Sequence, residues 1–392
     1  MPGSEGQHTA TLLRMRSIQL LLVATFGGFA GYILLLPVVP QWAVQGGVGE
    51  AAAGTTNGLF MLTTVLTQLG MPWLLRKIDH RLALGAGTLL VGAPTPLFMI
   101  STDLPALLGV SGLRGIGFGL LTVAGSALVA ELAPPEARGR AAGLYGLSAG
   151  LPNVLLLPAG VWMAEHLGYG TLFWIAGALP VLATIAVAGM PPVHAAETPD
   201  QSGTRGVPLT LLPPWLVMIT VSLTAGGFLS FMPLATTGTI ASLALLAFGA
   251  ALVLGRWLAG IWGDRSSTQQ VLLPAVLAAT LGLASLAIGI AGQPWLALPG
   301  AFALGMGFGA VQNATLVIMF ERAESGVASS VWNIAYDAGS GLGATGFGIL
   351  ITAFAYPATF GIAALLVLMC APLAPLARLG SGARAREHSS HM

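Results

Sequence analysis

The chain has 392 residues, of which 55% are hydrophobic and only 7% are charged, with a formal net charge of +1. Because an average soluble domain carries about 25% charged residues, this composition excludes a water-soluble globular protein. Transmembrane strands would need about 10 alternating apolar and polar residues each, and the sequence lacks that pattern. Its long apolar stretches instead predict an all-α membrane protein, since helices satisfy their own backbone hydrogen bonds in lipid.

Polar and Gly/Pro-rich breaks divide the chain into twelve predicted transmembrane helices. A bilayer core about 30 Å thick requires roughly 20 apolar residues for each crossing. Several of these helices are predicted to be broken by prolines, for example Pro37, Pro94, Pro152 and Pro158. The predicted helices cover residues 17–44, 52–75, 82–100, 105–130, 140–164, 171–190, 213–234, 240–262, 270–291, 295–320, 327–352 and 357–377.

Basic residues concentrate at one set of predicted helix ends, on the side of the N-terminus. The opposite connections hold Glu50, Asp103 and Glu165 instead. The positive-inside rule therefore predicts cytoplasmic termini, in a multi-pass protein of the bacterial inner membrane. The longest polar break separates the sixth helix from the seventh. The predicted organisation is an N-terminal tail over 1–16, a six-helix bundle over 17–190, a linker over 191–212, a second bundle over 213–377 and a C-terminal tail over 378–392.

The two predicted bundles resemble each other in sequence. The segment "RGIGFGLLTVAGSALVAEL" (Arg114–Leu132) parallels "LGMGFGAVQNATLVIMFER" (Leu304–Arg322). The segment "PWLLRKIDHR", at 72–81, parallels "GIWGDRSSTQ", at 260–269. In both pairs, the second segment follows the first by nearly the same number of residues, close to half the length of the chain. This equal spacing indicates a duplicated unit. Parallel six-helix repeats are typical of transporters that bind substrate at the bilayer midplane between the repeats.

A loop motif and two helix motifs make the resemblance to one family specific. "GIWGDRSSTQQVL" (Gly260–Leu272) resembles the G-x-x-x-D-R loop motif of the major facilitator superfamily and follows the second helix of its half, as in that family. "GLYGLSAGLP" (Gly143–Pro152) partly resembles the Gly/Pro motif of the family's drug–proton antiporters, and "AYDAGSGLG" (Ala335–Gly343) is similar to a helix-eleven segment of its bacterial efflux members. The resemblance covers all twelve helices. It implies a monomeric transporter with two pseudosymmetric six-helix bundles.

Two ionisable residues are predicted to lie at membrane depth, where a charge costs at least about 2.5–3.5 kcal/mol. Asp337 lies roughly 15 Å into the eleventh helix and is predicted to bind and release a proton. Arg114 lies roughly 13 Å into the fourth helix. Its similarity to the helix-four Arg of family proton antiporters implies that it tunes Asp337 or binds an anionic group. The alternatives are an Asp bonded to neighbouring polar groups and an Arg that bonds backbone carbonyls and packs helices.

Further polar and aromatic side chains lie within the predicted helices and are candidates for substrate contact. By family resemblance, helices one, four, seven and ten line the cavity. The alternative is helix–helix hydrogen bonding by the amides and plain packing by the aromatic rings. The predicted substrate-binding residues are Tyr32, Arg114, Asn153, Phe228, Phe231, Gln312, Asn313, Trp332, Asn333 and Tyr336.

Charged residues near the basic helix ends are predicted to form two conformational latches. By pseudosymmetry with the family, the Asp of the loop motif should approach the start of helix five, where two arginines lie. The matching loop of the first half holds cations, which are predicted to pair with glutamates at the start of helix eleven. The predicted latch residues are Asp264 with Arg138 and Arg140, Arg76 and Lys77 with Glu321 and Glu324, and Arg256 and Arg265 beside the loop motif.

The motifs that are absent narrow the function. No GxxxxGK(S/T) motif is present, which excludes an ATP-driven motor. The scattered histidines predict no metal site, and the basic residues form no nucleic-acid patch. The predicted function is proton-coupled efflux of small apolar or amphipathic molecules, such as drugs or metabolites, by alternating access in the lipid bilayer. No cofactor and no enzymatic activity are expected, and the proton gradient supplies the energy. The alternatives are a proton-independent facilitator or importer of a metabolite and a non-transporting receptor or scaffold.

Overall fold

The computed structural model describes residue 12 and residues 15–134, 137–191, 208–236, 238–265 and 268–376. Throughout these residues the regular structure is helical, and no strand occurs among them. They form two compact units. Unit 1 holds the described residues up to Gly49 and from Leu59 to Pro191, and unit 2 holds Glu50–Gly58 and the described residues from Pro208 onward. The predicted linker and tails lie largely outside the described residues, so the predicted domain bounds remain a prediction.

Unit 1 follows the predicted first half closely, and its helix ends lie within three residues of the predicted ones. The helices of this half are α1 (Arg16–Leu35), α2 (Val38–Gln45), α3 (Glu50–Leu74), α4 (His80–Gly92), α5 (Leu104–Leu132), α6 (Arg138–Leu167) and α7 (Tyr169–Ala188), and a short 3₁₀ helix (Thr95–Met99) follows α4. Two crossings are interrupted where the sequence predicts breaks. α1 gives way to α2 at Pro37, and α4 ends just before Pro94.

The predicted breaks at Pro152 and Pro158 are wrong, because α6 continues through both residues. A proline removes one backbone donor from the turn before it. Near Pro152, the side-chain amide of Asn153 donates to the carbonyls of Ala149 and Gly150, at 3.5 and 3.4 Å. Membrane helices tolerate a proline where such additional donors are at hand.

Unit 2 follows the predicted second half. Its helices are α8 (Leu212–Ala235), α9 (Thr239–Arg265), α10 (Thr268–Gly292), α11 (Ala297–Arg322), α12 (Ser325–Leu368) and α13 (Leu373–Leu376). α12 has 44 residues but is interrupted at Ala355, where φ is 62° and ψ is 170°. A straight helix of that length would extend roughly 66 Å, about twice the bilayer core. The kink therefore separates the last two predicted crossings, and the second of them ends at Leu368 rather than at residue 377.

The helices supply twelve membrane crossings. Ten segments of the described chain are long and apolar enough to span a bilayer, and the last of them, Gly326–Pro375, crosses twice because of the kink. α3 supplies the remaining crossing. It has 25 residues, a length of about 37 Å, and its Thr, Asn and Gln side chains make it relatively polar. The predicted all-α membrane fold with twelve crossings is confirmed.

The same glycine packing recurs in both units. A Cβ atom on any of three glycines of α5 would lie within 3 Å of the backbone of α3 or α4. Three glycines of α11 approach the backbones of α9 and α10 in the same way. The alignment of the repeated segments matches each contact of unit 1 to one of unit 2. The matched contacts are Gly115–Phe60 to Gly305–Phe248, Gly119–Thr64 to Gly309–Leu252, and Gly117–Gly87 to Gly307–Ala275. The duplication inferred from sequence is therefore present in the helix contacts.

The first nine residues of α3 pack within unit 2. Gly54 and Gly58 lie so close to α12 that a side chain at either position would collide with Ala344 or Thr345. Asn57 on the same segment donates from Nδ2 to the Ser230 hydroxyl of α8, at 2.9 Å. α3 therefore belongs to unit 2 at its beginning and to unit 1 from Leu59 onward.

Candidate functional site

Arg114 is buried within α5, with 3% of its surface exposed. Its Nε donates to the carbonyl of Val91 at 3.0 Å, and its Nη2 donates to the carbonyl of Gly31 at 2.9 Å. The guanidinium carbon also lies 5.7 Å from the ring centroids of Phe60 and Phe98. All of these contacts lie within unit 1.

Both carbonyls that Arg114 contacts lie near the ends of interrupted helices. Val91 is the penultimate residue of α4, and Gly31 lies four residues before the end of α1. The last four carbonyls of a helix have no intrahelical donor, and Val91 is among these four in α4, whereas Gly31 lies just before them in α1. A cation at a C-terminal helix end is favoured by the helix dipole. The contacts of Arg114 thus correspond to its structural alternative, in which it joins two interrupted helices.

Tyr32 belongs to the aromatic packing next to Arg114. Its ring stacks on Phe60, with centroids 5.1 Å apart and an interplanar angle of 12°. It also lies against Phe118, with a centroid distance of 4.3 Å. Tyr32 is buried, so in this conformation its ring forms part of the core of unit 1.

Arg256 is a second arginine at membrane depth, on α9 of unit 2. Its Nη1 donates to Oε1 of Gln312 at 3.3 Å, and the remainder of its side chain is largely exposed on unit 2. Arg256 lies nine residues before the end of α9, and Gln312 lies ten residues before the end of α11. Both are therefore about 14–15 Å from those helix ends. Arg256, a predicted latch residue, thus contacts a residue that is predicted to bind substrate.

Tyr336 and Asp337 of α12 lie at a similar depth, about 17–18 Å from the start of that helix at Ser325. The Tyr336 hydroxyl lies within electrostatic range of Asp337 on one side and of Arg256 on the other. Asp337 is buried, with 5% of its surface exposed. We call Arg256, Gln312, Tyr336 and Asp337 the unit 2 polar cluster.

Stacked aromatic rings adjoin the unit 2 polar cluster. The ring of Tyr336 stacks on Phe308 and on Trp332, with centroid distances of 5.8 and 5.6 Å. The indole Nε1 of Trp332 donates to the Thr315 hydroxyl at 3.0 Å, which fixes the orientation of its ring. One guanidinium, one carboxyl group and one amide beside aromatic faces can bind a molecule that has both an apolar part and a polar group.

The other predicted substrate residues lie in different surroundings. Phe228 and Phe231 are fully buried within unit 2, and Phe228 packs on the ring of Phe248 at 4.9 Å. Asn313 is half-buried, and Asn333 is exposed and donates to the preceding turn of its own helix at 2.9 Å. Within unit 2, the structure places together Gln312, Trp332, Tyr336 and Asp337, and adds Arg256.

Apart from Arg256, the predicted latch residues lie at or near helix ends, and most are exposed. Arg76 donates from Nε to the Pro72 carbonyl at 3.2 Å, and the Lys77 ammonium lies 4.0 Å from the centroid of the Trp73 ring. The side chain of Asp264 lies outside the described part of the structure. Also exposed are Arg138, Arg265, Glu321 and Glu324, whereas Arg140 is half-buried. The two latches remain a prediction.

A polar contact in unit 1 was not predicted, although the register of the repeats could have revealed it. Gln68 of α3 donates from Nε2 to the Thr122 hydroxyl of α5, at 3.3 Å. Gln68 corresponds to Arg256 in the register that aligns the two loop segments, and Thr122 corresponds to Gln312 in the register that aligns α5 with α11. The two units thus make the same side-chain contact with different residue types.

An ion pair in unit 1 was also missed by sequence reasoning. Nδ1 of His80, at the start of α4, lies 3.0 Å from Oε1 of Glu131, near the end of α5. The two residues are distant in sequence and belong to no common motif, so only the packing of α4 on α5 reveals the pair.

Two repeated units with twelve crossings and ionisable groups at membrane depth define the protein as a secondary transporter. The sequence model of the Major Facilitator Superfamily matches residues 21–344, and the chain belongs to this family. The members of the family are transporters, so the chain is a transporter and not an enzyme. The resemblance inferred from the motifs is confirmed.

The chain is similar to the inner membrane transport protein YajR of Escherichia coli (strain K12), with 26% identity over 160 residues. That match covers 40% of this chain and only 34% of YajR. Solved structures of three transporters share the fold. The peptide transporter POT has 15% sequence identity and a TM-score of 0.76, and the match covers 93% of this chain and 94% of POT. The nucleoside transporter NupG has 14% identity and a TM-score of 0.72, with 92% of this chain and 99% of NupG covered. A bacterial homologue of the human lysosomal transporter Spinster has 14% identity and a TM-score of 0.72, with 94% of this chain and 97% of the homologue covered.

Proposed function

We propose that the chain is a proton-coupled exporter of small apolar or amphipathic molecules and that Asp337 is its proton-binding residue. The observation that carries this proposal is the burial of the Asp337 carboxyl group at membrane depth, within electrostatic range of the Tyr336 hydroxyl. A charged carboxylate is costly at this depth. Its protonation state therefore depends on how open its surroundings are to water, and alternating access changes those surroundings.

The unit 2 polar cluster and its aromatic neighbours are proposed to bind the substrate. The rings of Tyr336, Trp332 and Phe308 offer apolar faces, and Arg256 and Gln312 offer hydrogen bonds to a polar group. A single cation favours an amphipathic molecule over a phosphate compound, which would require several cations. For Arg114, the two carbonyl contacts support a structural role, so we assign the role of the substrate-facing cation to Arg256.

We further propose that both termini are cytoplasmic and that the protein works as a monomer in the bacterial inner membrane. The support is the distribution of charge. The helix ends on the side of the start of α1 carry the Arg and Lys residues, and the opposite connections contain none. Fluorescence of a green fluorescent protein fused to the C-terminus would support this orientation. Activity of a periplasm-dependent phosphatase fused at the same place would reverse it.

Transport by reconstituted vesicles with an imposed pH gradient tests the proposed coupling. A thermal-shift screen of metabolites and drugs first identifies a substrate, because a ligand that binds the folded state raises the apparent stability. We expect Asp337→Asn to abolish the response of transport to the pH gradient. Glu165→Gln, an exposed acid at the end of α6, is the matched control and should respond like the parent. An unchanged response in Asp337→Asn would instead indicate a proton-independent facilitator.

A further inference from the structure

His80 and Glu131 form a mostly buried pair at one end of unit 1, with 6% and 22% of their side chains exposed. His80 is the first residue of α4, and Glu131 is the penultimate residue of α5. Oε1 of Glu131 lies 3.0 Å from Nδ1 of His80. The other oxygen, Oε2, is buried without a hydrogen-bond partner among the described residues, and the contact at Nδ1 of His80 is an ion-pair distance without hydrogen-bond geometry. A buried carboxylate with an unsatisfied oxygen is costly, so the arrangement favours the presence of a proton.

The ionisable groups around this pair are engaged elsewhere or exposed. Asp79 accepts the backbone N–H of Leu82 at the start of α4, and Arg81 donates from Nη2 to the Ala188 carbonyl at the end of α7. Among the described residues, His80 is the ionisable group that acts on Glu131. Among the described residues, the other ionisable groups at this end of unit 1 are four exposed residues and the half-buried Arg140, on α1, α6 and the connection after α3, and the exposed ones are Arg16, Arg76, Lys77 and Arg138.

We propose that His80 and Glu131 form a proton-binding site, in a different unit from Asp337, that fastens the start of α4 to the end of α5. A proton taken from solvent goes to the imidazole of His80, and the contact at Nδ1 becomes an ion pair between imidazolium and carboxylate. Loss of that proton leaves a neutral imidazole facing a carboxylate, which weakens the connection. Histidine ordinarily changes charge between about pH 5 and 8. This site does not depend on the substrate, the direction of transport or a role of Asp337.

The electrostatics of Glu131 also predict that the connection between α4 and α5 weakens as the pH rises. Glu131 lies beyond Val129, where the apolar span ends. Burial raises the pKa of its carboxyl group above the ordinary value of 4.5, although His80 opposes part of that rise. A carboxyl group with a raised pKa in the folded state contributes stability at low pH and loses that contribution as the pH rises. The imidazolium–carboxylate pair shares this one proton with Glu131 and is lost in the same direction, so unit 1 is weakened as the pH increases.

Thermal unfolding of the purified full-length protein in detergent, at steps from about pH 5 to about pH 9, tests the site. Glu131→Gln removes the buried charge. We expect its Tm to exceed that of the parent by about 2–4 °C at the alkaline end and to lose this advantage at the acid end. His80→Gln removes the imidazolium, so we expect its Tm to fall below the parent at the acid end and to approach the parent at the alkaline end.

His166→Gln is the matched control, because His166 lies at the end of α6 and contacts the Trp162 carbonyl of its own helix. Its Tm difference from the parent should not change with pH. Should either test variant fail to fold, an NMR titration of the histidines in the parent protein shows whether His80 binds a proton in this pH range, and His166 serves as an internal reference. Differences in Tm that are equal at every pH would overturn the proposal. A His80 signal that does not titrate between about pH 5 and pH 9 would do the same.

Discussion

The two units each place one arginine at membrane depth, and they surround it in opposite ways. Arg114 of unit 1 is buried, donates to two backbone carbonyls and lies between two aromatic rings. Arg256 of unit 2 is exposed and has one hydrogen bond, to the amide oxygen of Gln312. A guanidinium has five N–H donors. In unit 1 the guanidinium of Arg114 bonds the backbone carbonyls of two helices and so holds them together. In unit 2 the guanidinium of Arg256 donates one hydrogen bond within the described residues, to Gln312, and we propose that its other N–H groups bind a ligand.

The backbone packing of the two units shows no such difference. The glycines of α5 and α11 approach corresponding residues of their neighbouring helices. The polar contact between Gln68 and Thr122 in unit 1 corresponds to that between Arg256 and Gln312 in unit 2. Because these helix contacts leave no room for a Cβ atom, they require glycine at the same positions in both units. The side chains beside those contacts can differ without loss of the fold, so unit 2 carries a guanidinium where unit 1 carries an amide.

The largest expected effect comes from the glycine contacts that the two units share. Gly115→Ala and Gly305→Ala each place a methyl group within 3 Å of a backbone oxygen on the neighbouring helix. Because that backbone cannot move aside as a side chain can, we expect each change to lower the free energy of unfolding by about 1–3 kcal/mol or more. Thermal unfolding measures the loss. Gly109→Ala in α5, with no described atom within 4 Å of the new Cβ, should be tolerated. A neutral result for only one of the two contact glycines would break the equivalence of the units.

The second prediction concerns the buried arginine. Arg114→Met removes the only side-chain donor to the Gly31 carbonyl among the described residues and leaves the Val91 carbonyl with the Thr95 hydroxyl alone, so we expect a loss of about 1–3 kcal/mol in the free energy of unfolding. Arg256→Met should cost less than about 1 kcal/mol, because its one hydrogen bond among the described residues is long and only part-buried. Arg114→Lys should retain only part of the stability, since an ammonium lacks the planar fork that reaches both carbonyls. Equal losses for Arg114→Met and Arg256→Met would contradict the contrast between the units.

The sequence predicted the crossings well, because the bilayer fixes the length of each apolar segment. The interruptions within helices were harder to predict from the sequence. Pro37 and Pro94 interrupt helices as predicted, but α6 continues through Pro152 and Pro158. The effect of a proline depends on the donors that folding brings to the adjacent turn, here including Asn153, and these cannot be identified from proline positions alone.

The candidate site was predicted only in part. Gln312, Tyr336 and Asp337 were identified because polar residues are rare in apolar helices. The contribution of Arg256 was missed, since its contact with Gln312 depends on how α9 packs against α11. The same limitation concealed the carbonyl contacts of Arg114. Sequence position gives the depth of a residue along its helix, but its partners depend on helix rotation and packing.

The third prediction separates transport from stability. Arg256→Gln removes the guanidinium of the unit 2 polar cluster, and we expect the transport rate per folded protein to fall at least about tenfold, the equivalent of 1.4 kcal/mol. Its Tm should change little, because the side chain is exposed. Arg114→Lys should show the converse, with a lower Tm and a smaller loss of transport once the rate is corrected for folded protein. Parental transport by Arg256→Gln would remove this residue from the substrate site.

The smallest expected effect concerns the corresponding polar contacts. Thr122→Val removes the acceptor of Gln68, and Gln312→Leu removes the acceptor of Arg256. Hydrogen bonds between membrane helices contribute about 0.6 kcal/mol on average, so we expect both variants to lose about that much stability. Their transport should differ. Thr122→Val should transport like the parent, because its contact lies within the scaffold of unit 1. Gln312→Leu should raise the substrate KM about threefold, because Arg256 loses the partner that orients it toward a ligand. Parental KM values for both variants would mean that the two contacts are equivalent in function as well as in position.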